Sequence, residues 1–466
     1  MKRIVWITGA AAITVATLAA QQPSDFYGTI IGQNGRKPAL AVPDLRGDGQ
    51  VQPYMAVFNQ TLWDDLQSSG LFNLVPKSQY PLTVPQQLSD FRAAPQVQTP
   101  GRRGEAPQTG GGLWLSDWSG PPTQANYVTI GYAAAQQSLF VLRGWLVDPS
   151  IPNPANAGAL AKVYNGPMSE AGARTVAHQF GCDIVEKFGS TCMYGTHIYF
   201  VRQSGTLKAP VREIWVMDPD GKNQKPVTHF NALSDFPAIS PDGSKLAFTS
   251  WVHGNPAIFV FSVDPVRDLR FYNQRGASVM GEPSFTPDGK QVVFQSSVGG
   301  CCGIYIANLD GSNVHAITAS RTVDAEPKVN PKTGAEIAFS SGRSGPEQIY
   351  KMNADGTDVE RLSDGTGEAS NPSWHPEGQF LAYAWTRGYM TGGFNIFVMN
   401  VATRNYIQLT HSEGKNENPS WAPDGKHIVF MSDRTGRSQI WSMLADGTNQ
   451  VQLTREGTNL HPVWGK

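Results

Sequence analysis

Hydrophobic and polar positions follow two different periods along this chain. In two segments before residue 190, apolar residues recur at three- or four-residue steps, which predicts amphipathic helices. From about residue 193 onward, short apolar runs alternate with turn-forming residues, which predicts many short strands. The two patterns together indicate two domains of different class.

The first part is predicted to be a small α/β domain over residues 21–190. One helix opens at Pro53, carries its apolar face every fourth residue and ends at Gly70. A second follows the N-cap Ser169 and runs to Phe188. The apolar faces comprise Tyr54, Phe58, Leu62 and Leu66 in the first helix, and Ala173, Val176, Phe180, Ile184 and Phe188 in the second. Strands are expected at residues 38–42, 128–132, 139–147 and 161–164.

The second part is built from an internal repeat. Five copies of a Pro-Asp-Gly-type turn precede an apolar strand, and a sixth, truncated copy ends the chain as residues 461–466. Each copy contains one equivalent proline, and successive prolines are 46, 44, 45, 47 and 43 residues apart: Pro237, Pro283, Pro327, Pro372, Pro419 and Pro462. A period near 45 is typical of a four-stranded propeller blade.

The order of the repeats predicts how the propeller closes. The strand near His197 has no Pro-Asp-Gly copy before it, and the copy at His461 has no strand after it. The C-terminal segment therefore supplies the missing first strand of the first blade, which removes the open edge. The expected fold is an all-β six-bladed propeller over residues 193–466. A linear solenoid would leave both half-blades incomplete.

Composition and charge narrow the possible locations and partners. Charged residues make up 16% of the chain, and the formal net charge of −1 gives no reason to expect nucleic-acid binding. Lys2 and Arg3 precede an apolar run that ends at Ala19-Ala20, which predicts a signal peptide over residues 1–20 and an exported product. A membrane anchor is the alternative, but the run is short and contains several polar residues. Residues 92–112 are rich in Pro, Gln, Gly and Arg and are interpreted as a flexible insertion.

The cysteines, histidines and serines show no spacing that predicts a metal site or a catalytic site. Cys182 and Cys192 can pair if the fold allows it, whereas Cys301 and Cys302 are adjacent. The nine histidines lack ligand spacing, although His461 at a strand entry leaves a channel ligand open. No nucleophile elbow occurs, since residues 342–346 fail at the last position. We therefore predict no enzyme and no cofactor, with a propeller hydrolase or lyase as one alternative.

A second alternative is a periplasmic sensor of glycans or small molecules, suggested by 12 tryptophans. Trp374, Trp421 and Trp464 occupy the same blade position, however, which favours packing over ligand contact. Repeated aspartates at Asp-Gly turns are likewise interpreted as structural. Near the mature N-terminus, residues 25–31 are β-prone and are either an edge strand or a segment that adds to a partner's sheet.

Taken together, these motifs resemble the TolB family over nearly the whole mature chain. The resemblance rests on residues 36–43, 66–73, 142–148 and 183–189, followed by the Pro-Asp-Gly copies and the C-terminal closing strand. The insertion around residues 95–112 departs from the family pattern.

The resemblance implies a periplasmic scaffold of the Tol–Pal system that supports outer-membrane integrity and cell division. It implies binding of the lipoprotein Pal at the mouth of the propeller channel, with Glu326 carried over by motif. Glu282, Asn371 and Asn418 hold the same place in other blades by symmetry; the alternative is that all four cap strand ends. It further implies that an N-terminal segment, aligned only loosely over residues 22–33, engages TolA through Phe26, Tyr27, Thr29, Ile30 and Ile31.

Overall fold

A computed structural model describes residues 37–92, 113–206, 208–263, 270–272, 280–298, 302–411 and 413–466. The predicted signal peptide, the segment proposed for TolA and nearly all of the insertion lie outside these residues. Within the described part of the chain, no helix is both long and apolar enough to cross a membrane.

The N-terminal domain is a mixed sheet with two long helices packed on it. Its strands are ordered β3-β1-β4-β5-β6, with β2 beside β4. The elements are β1 (Ala39–Ala41), β2 (Arg46–Gly47), α1 (Met55–Ser68), β3 (Asn73–Leu74), α2 (Leu115–Ser119), β4 (Tyr127–Gln136), β5 (Leu139–Val147), β6 (Gly158–Pro167) and α3 (Glu170–Lys187). The predicted α/β class is confirmed.

Both predicted helices form with the expected faces inward. Phe58, Leu62 and Leu66 of α1 are fully buried, and so are the four predicted residues that lie within α3. The two other predicted residues lie just outside the helices and are partly buried: Tyr54 ends a short 3-10 turn before α1, and Phe188 follows α3. Gly70 ends α1 with a φ of 66°, a left-handed conformation that costs a glycine little. At the other end of the domain, the Ser169 hydroxyl accepts a hydrogen bond from Gly172 N at 3.1 Å and caps α3.

Six four-stranded sheets form the propeller. In each, the first strand lies beside the second, the second beside the third and the third beside a short outer strand. Blade 1 is β30 (Thr458–Gly465), β7 (His197–Thr206), β8 (Ala209–Met217) and β9 (Lys225–Pro226); blade 2 is β10 (Ser234–Ile239), β11 (Lys245–Ser250), β12 (Ala257–Ser262) and β13 (Arg270–Tyr272); blade 3 is β14 (Met280–Phe285), β15 (Gln291–Ser296), β16 (Gly303–Asn308) and β17 (His315–Ala316). Blade 4 is β18 (Asp324–Val329), β19 (Glu336–Ser341), β20 (Gln348–Asn353) and β21 (Glu360–Arg361); blade 5 is β22 (Ala369–Trp374), β23 (Phe380–Trp385), β24 (Asn395–Asn400) and β25 (Tyr406–Gln408); blade 6 is β26 (Asn416–Trp421), β27 (His427–Ser432), β28 (Gln439–Leu444) and β29 (Val451–Gln452).

Closure follows the predicted route. The C-terminal strand β30 pairs antiparallel with β7, and its residues Leu460 and Trp464 face Val201 and Ile198. Trp464 is 6% exposed, and its indole donates a hydrogen bond to the Thr196 hydroxyl at 3.0 Å. The first blade is thus made from both ends of the propeller sequence.

The outer strands are shorter than expected. The pattern predicts an outer strand over residues 359–363 in blade 4, but only Glu360–Arg361 pairs with the third strand. An outer strand has a neighbour on one side only, so its backbone pairing stops where its side chains become exposed to solvent. Val359, which precedes the paired residues, is 40% exposed.

Strand direction gives the propeller two distinct faces. The turn face carries the turns between first and second strands, with Pro241, Pro287, Pro331, Pro376 and Pro423. The loop face carries the loops between second and third strands and between one blade and the next, such as residues 342–347 and 362–368. The N-terminal domain contacts the turn side of blades 1 and 6, where Lys426 Nζ lies 2.9 Å from Ser190 Oγ and Arg174 pairs with Asp220.

A buried histidine joins the two domains. His427 at the start of β27 donates from Nε2 to the Ser68 carbonyl oxygen at the end of α1, and its Nδ1 lies 2.6 Å from Asp424 Oδ2. Burial lowers the pKa of His427, but the Asp424 carboxylate raises it by more, and the net pKa lies above the ordinary value. Burial likewise raises the pKa of Asp424, and His427 lowers it by more.

We expect the protein to lose stability as pH rises above about 6.5, the ordinary pKa of histidine, and through the raised pKa of His427. A histidine whose pKa is raised on folding stabilises the folded state below its unfolded pKa, and that contribution disappears as pH rises through its folded pKa. Asp424, whose pKa is lowered on folding, stabilises the folded state above its unfolded pKa. That contribution disappears only as pH falls through its folded pKa, well below the range of this experiment. Urea unfolding across this range should show the loss for the wild type and a flatter profile for His427→Gln. The exposed His315→Gln is the control, and an unchanged slope in His427→Gln would contradict the assignment.

Candidate functional site

Every first strand is interrupted at the same place. The pairing of first and second strands shifts register there in all six blades, and the residue at the break has a φ between 44° and 56°. These residues face one another around the propeller axis and are called the channel ring: Phe236, Glu282, Glu326, Asn371, Asn418 and His461. A left-handed conformation is costly for residues other than glycine, so the surrounding contacts must stabilise it.

Side chains of the channel ring supply some of those contacts by bonding from one blade to the next. Glu282 accepts a hydrogen bond from Glu326 N at 2.6 Å, and Glu326 accepts one from Asn371 N at 2.5 Å. Asn371 continues the series by accepting from Asn418 N at 3.3 Å. The carboxylate or amide at these positions therefore links neighbouring blades at the point where each strand is bent.

A second row of bonds lies two residues further along the first strands. Ser284, Ser373 and Ser420 each accept a backbone N–H from the next blade, at 3.2, 3.2 and 3.1 Å. The Pro-Ser-Trp pattern in the repeat therefore joins blades as well as forming a strand. Buried backbone donors need such partners, because leaving one unpaired costs about 1–3 kcal/mol.

The ring closes differently where blade 1 meets blade 2. The Phe236 side chain cannot accept a hydrogen bond, and it stacks instead on His461 with ring centroids 4.6 Å apart. His461 Nδ1 contacts Asp235, which also pairs with Arg212. Burial raises the pKa of Asp235, but His461 and Arg212 lower it by more, so this carboxylate stays ionised.

A cavity of about 480 Å³ extends from the channel ring toward the turn face. Its floor is the ring, its walls are the first strands, and its rim is formed by the turn prolines and Lys466. The volume lies in the range of small-molecule sites. We call it the channel cavity.

On the other side of the ring, acidic residues gather toward the loop face. Glu347 ends a loop of blade 4, and Glu368 precedes the first strand of blade 5. Burial, together with the charges of Glu326 and Glu368, raises the pKa of Glu347 to about 7. Burial also raises the pKa of Glu417, whose carboxylate lies 2.8 Å from Lys415 Nζ. This end of the channel, which we call the acidic mouth, is a poor environment for further negative charge.

The fold brings together the four residues predicted for Pal binding, Glu326 from the family resemblance and the other three by their equivalent place in the repeat. Glu282, Glu326, Asn371 and Asn418 lie half-buried in the channel ring and line the channel cavity. Their links between blades give them a structural role beyond capping a strand end. Phe236 and His461 belong to the same ring, and their place in the repeat could have identified them as its members. Glu347 and Glu368 lie outside the repeated motif and carry no such signal.

The structure also tests the other candidate residues. Asp355 Oδ1 accepts hydrogen bonds from the backbone and hydroxyl of Thr357, at 3.0 and 2.7 Å, which confirms a turn-stabilising role. Trp374, Trp421 and Trp464 are each at most 6% exposed, which confirms packing. Cys182 and Cys192 form a disulfide with Cα atoms 5.0 Å apart. Among the described residues, no group of three His, Cys, Asp or Glu side chains is placed to hold a metal ion.

Comparison with known sequences gives related proteins for most of the chain. A family profile described as the TolB beta propeller domain matches residues 186–389 and 365–466. The protein TolB homolog of Chlorobium luteolum is 33% identical over 307 residues, which cover 66% of this chain and 67% of that protein. The Tol-Pal system protein TolB of Bordetella pertussis is 39% identical over 193 residues, or 41% of this chain and 42% of that protein.

Among solved structures, TolB from Acinetobacter baumannii superposes with a TM-score of 0.73. The match covers 92% of this chain and 97% of that chain at 22% sequence identity. At this identity the match demonstrates a shared fold, including both the N-terminal domain and the propeller.

Proposed function

The chain belongs to the TolB family, and on that premise we propose that it acts in the periplasm as a non-catalytic scaffold of a Tol–Pal envelope system. In this role it binds a Pal-type peptidoglycan-associated lipoprotein at the acidic mouth of the propeller, above Glu326, Glu282, Asn371 and Asn418. It binds TolA through the N-terminal segment that contains Phe26, Tyr27, Thr29, Ile30 and Ile31. These contacts would support outer-membrane integrity and cell division.

The observation that carries the lipoprotein site is a pair of carboxylates without partners at the acidic mouth, those of Glu347 and Glu368. Among the described residues, neither the Glu347 nor the Glu368 carboxylate has a hydrogen-bond or ion-pair partner, although both side chains are half-buried. A half-buried carboxylate without a partner is costly. A protein that supplies cationic or hydrogen-bond-donating side chains would remove that cost. The N-terminal domain is on the opposite side of the propeller and leaves this face open.

We expect the mature protein to bind the periplasmic domain of its own organism's Pal-type lipoprotein with one-to-one stoichiometry in calorimetric titration. Glu347→Lys should weaken binding at least about tenfold, because it places a cation where the partner's donors are proposed to lie. Glu377→Lys is the matched control, since Glu377 lies on the turn face in an exposed pair with Lys332.

Equal affinities of the wild type and Glu347→Lys for the lipoprotein would contradict the proposal that it binds at the acidic mouth. An equal loss in Glu377→Lys would indicate a nonspecific charge effect. Absence of binding by the wild type would overturn the lipoprotein assignment altogether. Deletion of residues 21–34 provides the second arm: it should abolish binding of the periplasmic domain of TolA and leave lipoprotein binding intact.

A further inference from the structure

One residue departs from the repeat inside the channel cavity. Two positions after each channel-ring residue, the first strands carry a small or apolar side chain in five blades and a lysine in one: Ala238, Ser284, Lys328, Ser373, Ser420 and Val463. Serine at this position bonds to the next blade in three cases. Because all blades face the same packing requirements, packing does not explain Lys328.

The Lys328 ammonium is not neutralised by a direct contact. Among the described residues, it has no hydrogen-bond or ion-pair partner, although the side chain is half-buried in the cavity wall. Burial lowers the pKa of Lys328, while Glu282 and Glu326 act to raise it. The cation thus lies within the electrostatic influence of two carboxylates without closing an ion pair with either. The ammonium group of Lys328 and the carboxyl groups of Glu282 and Glu326 therefore border the same cavity without direct contact between the cation and either carboxyl group.

Other polar atoms of the channel ring are also left without a protein partner within the described residues. Glu282 accepts through Oε2 only, and His461 is engaged through Nδ1 only. The Asn418 side-chain amide makes no hydrogen bond to the protein. A molecule in the cavity can therefore contact Oε1 of Glu282, Nε2 of His461 and the side-chain amide of Asn418. The prolines of the rim and walls provide apolar contact around them.

We propose that the channel cavity binds a free amino acid with an apolar side chain, its carboxylate on Lys328 and its ammonium group on Glu282 and Glu326. A zwitterion matches a site that presents both charges, and the cavity volume of about 480 Å³ accommodates it. Burial, and then the charge of Glu326, raise the pKa of Glu282 to about 8. An ammonium group bound beside this carboxyl would lower its pKa again and favour release of any proton that the carboxyl carries.

The test is calorimetric titration of the full mature chain, without any partner protein, with three probes of similar shape. L-Leucine carries both charges, isocaproate lacks the ammonium group and isoamylamine lacks the carboxylate. We expect leucine to bind and each analogue to bind roughly tenfold or more weakly, because each loses one charged contact. The binding heat of leucine should change with the ionisation enthalpy of the buffer if a proton is released.

Lys328→Ser is the informative variant, because serine is the residue of three other blades at this position. It should keep the wild-type unfolding temperature and weaken leucine binding roughly tenfold to a hundredfold. Lys332→Ser, at an exposed lysine of the turn face, should change neither.

Three results would overturn the proposal: no leucine binding up to about 10 mM, binding of isocaproate or isoamylamine as tight as that of leucine, or unchanged leucine affinity in Lys328→Ser. All three are measured on the isolated chain. Failure of lipoprotein binding at the acidic mouth therefore does not affect them, and their failure leaves the lipoprotein proposal intact.

Discussion

Deletion of residues 458–466 is expected to abolish cooperative folding of the propeller. These residues form β30, the first strand of blade 1, which pairs with β7 over six residue pairs. Without them, β7 becomes an unpaired edge that borders the channel instead of lying within a sheet. The loss includes buried Trp464, and a tryptophan-to-alanine change in a core alone costs about 3–5 kcal/mol. The whole strand therefore accounts for much of the about 5–15 kcal/mol that stabilises a typical protein.

The effect extends into both neighbouring blades, because β30 is bonded across blades as well as within its own. The Ser420 hydroxyl of blade 6 loses the backbone donor of Trp464, and Asp235 of blade 2 loses its contact with His461. Urea unfolding followed by circular dichroism should show a broad or absent transition for the truncated chain. Deletion of Lys466 alone should leave the transition unchanged, since this exposed residue follows β30. A truncated chain with the full unfolding free energy would show that blade 1 does not need its C-terminal strand.

Glu326→Ala is expected to lower the free energy of unfolding by about 3–5 kcal/mol. The Glu326 carboxylate accepts hydrogen bonds from Asn371 N and from the Ser340 hydroxyl, both at 2.5 Å, and from the Asn371 side-chain amide. Alanine removes all three and leaves the donors of the next blade without a partner. Glu326→Gln retains an acceptor at the same place and should lose about half as much.

The control is Glu347→Ala, a carboxylate of the same channel. Its pKa is raised to about 7 because burial and the nearby charges of Glu326 and Glu368 disfavour ionisation. Since it has no partner to lose, its removal should leave stability unchanged or raise it slightly. Urea denaturation of Glu326→Ala, Glu326→Gln and Glu347→Ala measures these differences. A decrease in the free energy of unfolding below about 1 kcal/mol in Glu326→Ala would contradict the structural role of Glu326. A stability loss in Glu326→Ala would also confound any partner-binding assay with that variant, which is why Glu347 is preferred for that purpose.

Local features of the chain determined the class and the order of the elements. The period of the repeat predicts four-stranded blades, and the six copies predict six of them, because each blade must place the same turn and the same buried strand at the same interval. The missing half-blades at either end predict closure through β30, since an open propeller would leave two unpaired edges. Pro53, Gly70, Ser169 and the helical spacing between them predict α1 and α3, because caps and amphipathic faces are properties of neighbouring residues.

The tertiary structure alone decided which side chains meet across blades and across domains. The repeat marks Glu326 and Asn371 as equivalent positions but does not indicate that one accepts the other's backbone N–H, because they are 45 residues apart along the chain. The same holds for His427 and Ser68, which join the two domains, and for the isolation of Lys328 in the channel cavity. Periodicity describes what each blade does with its own residues. Contacts between blades depend on how six sheets are arranged around one axis, and that arrangement determines the burial and the partners of every charge in the channel.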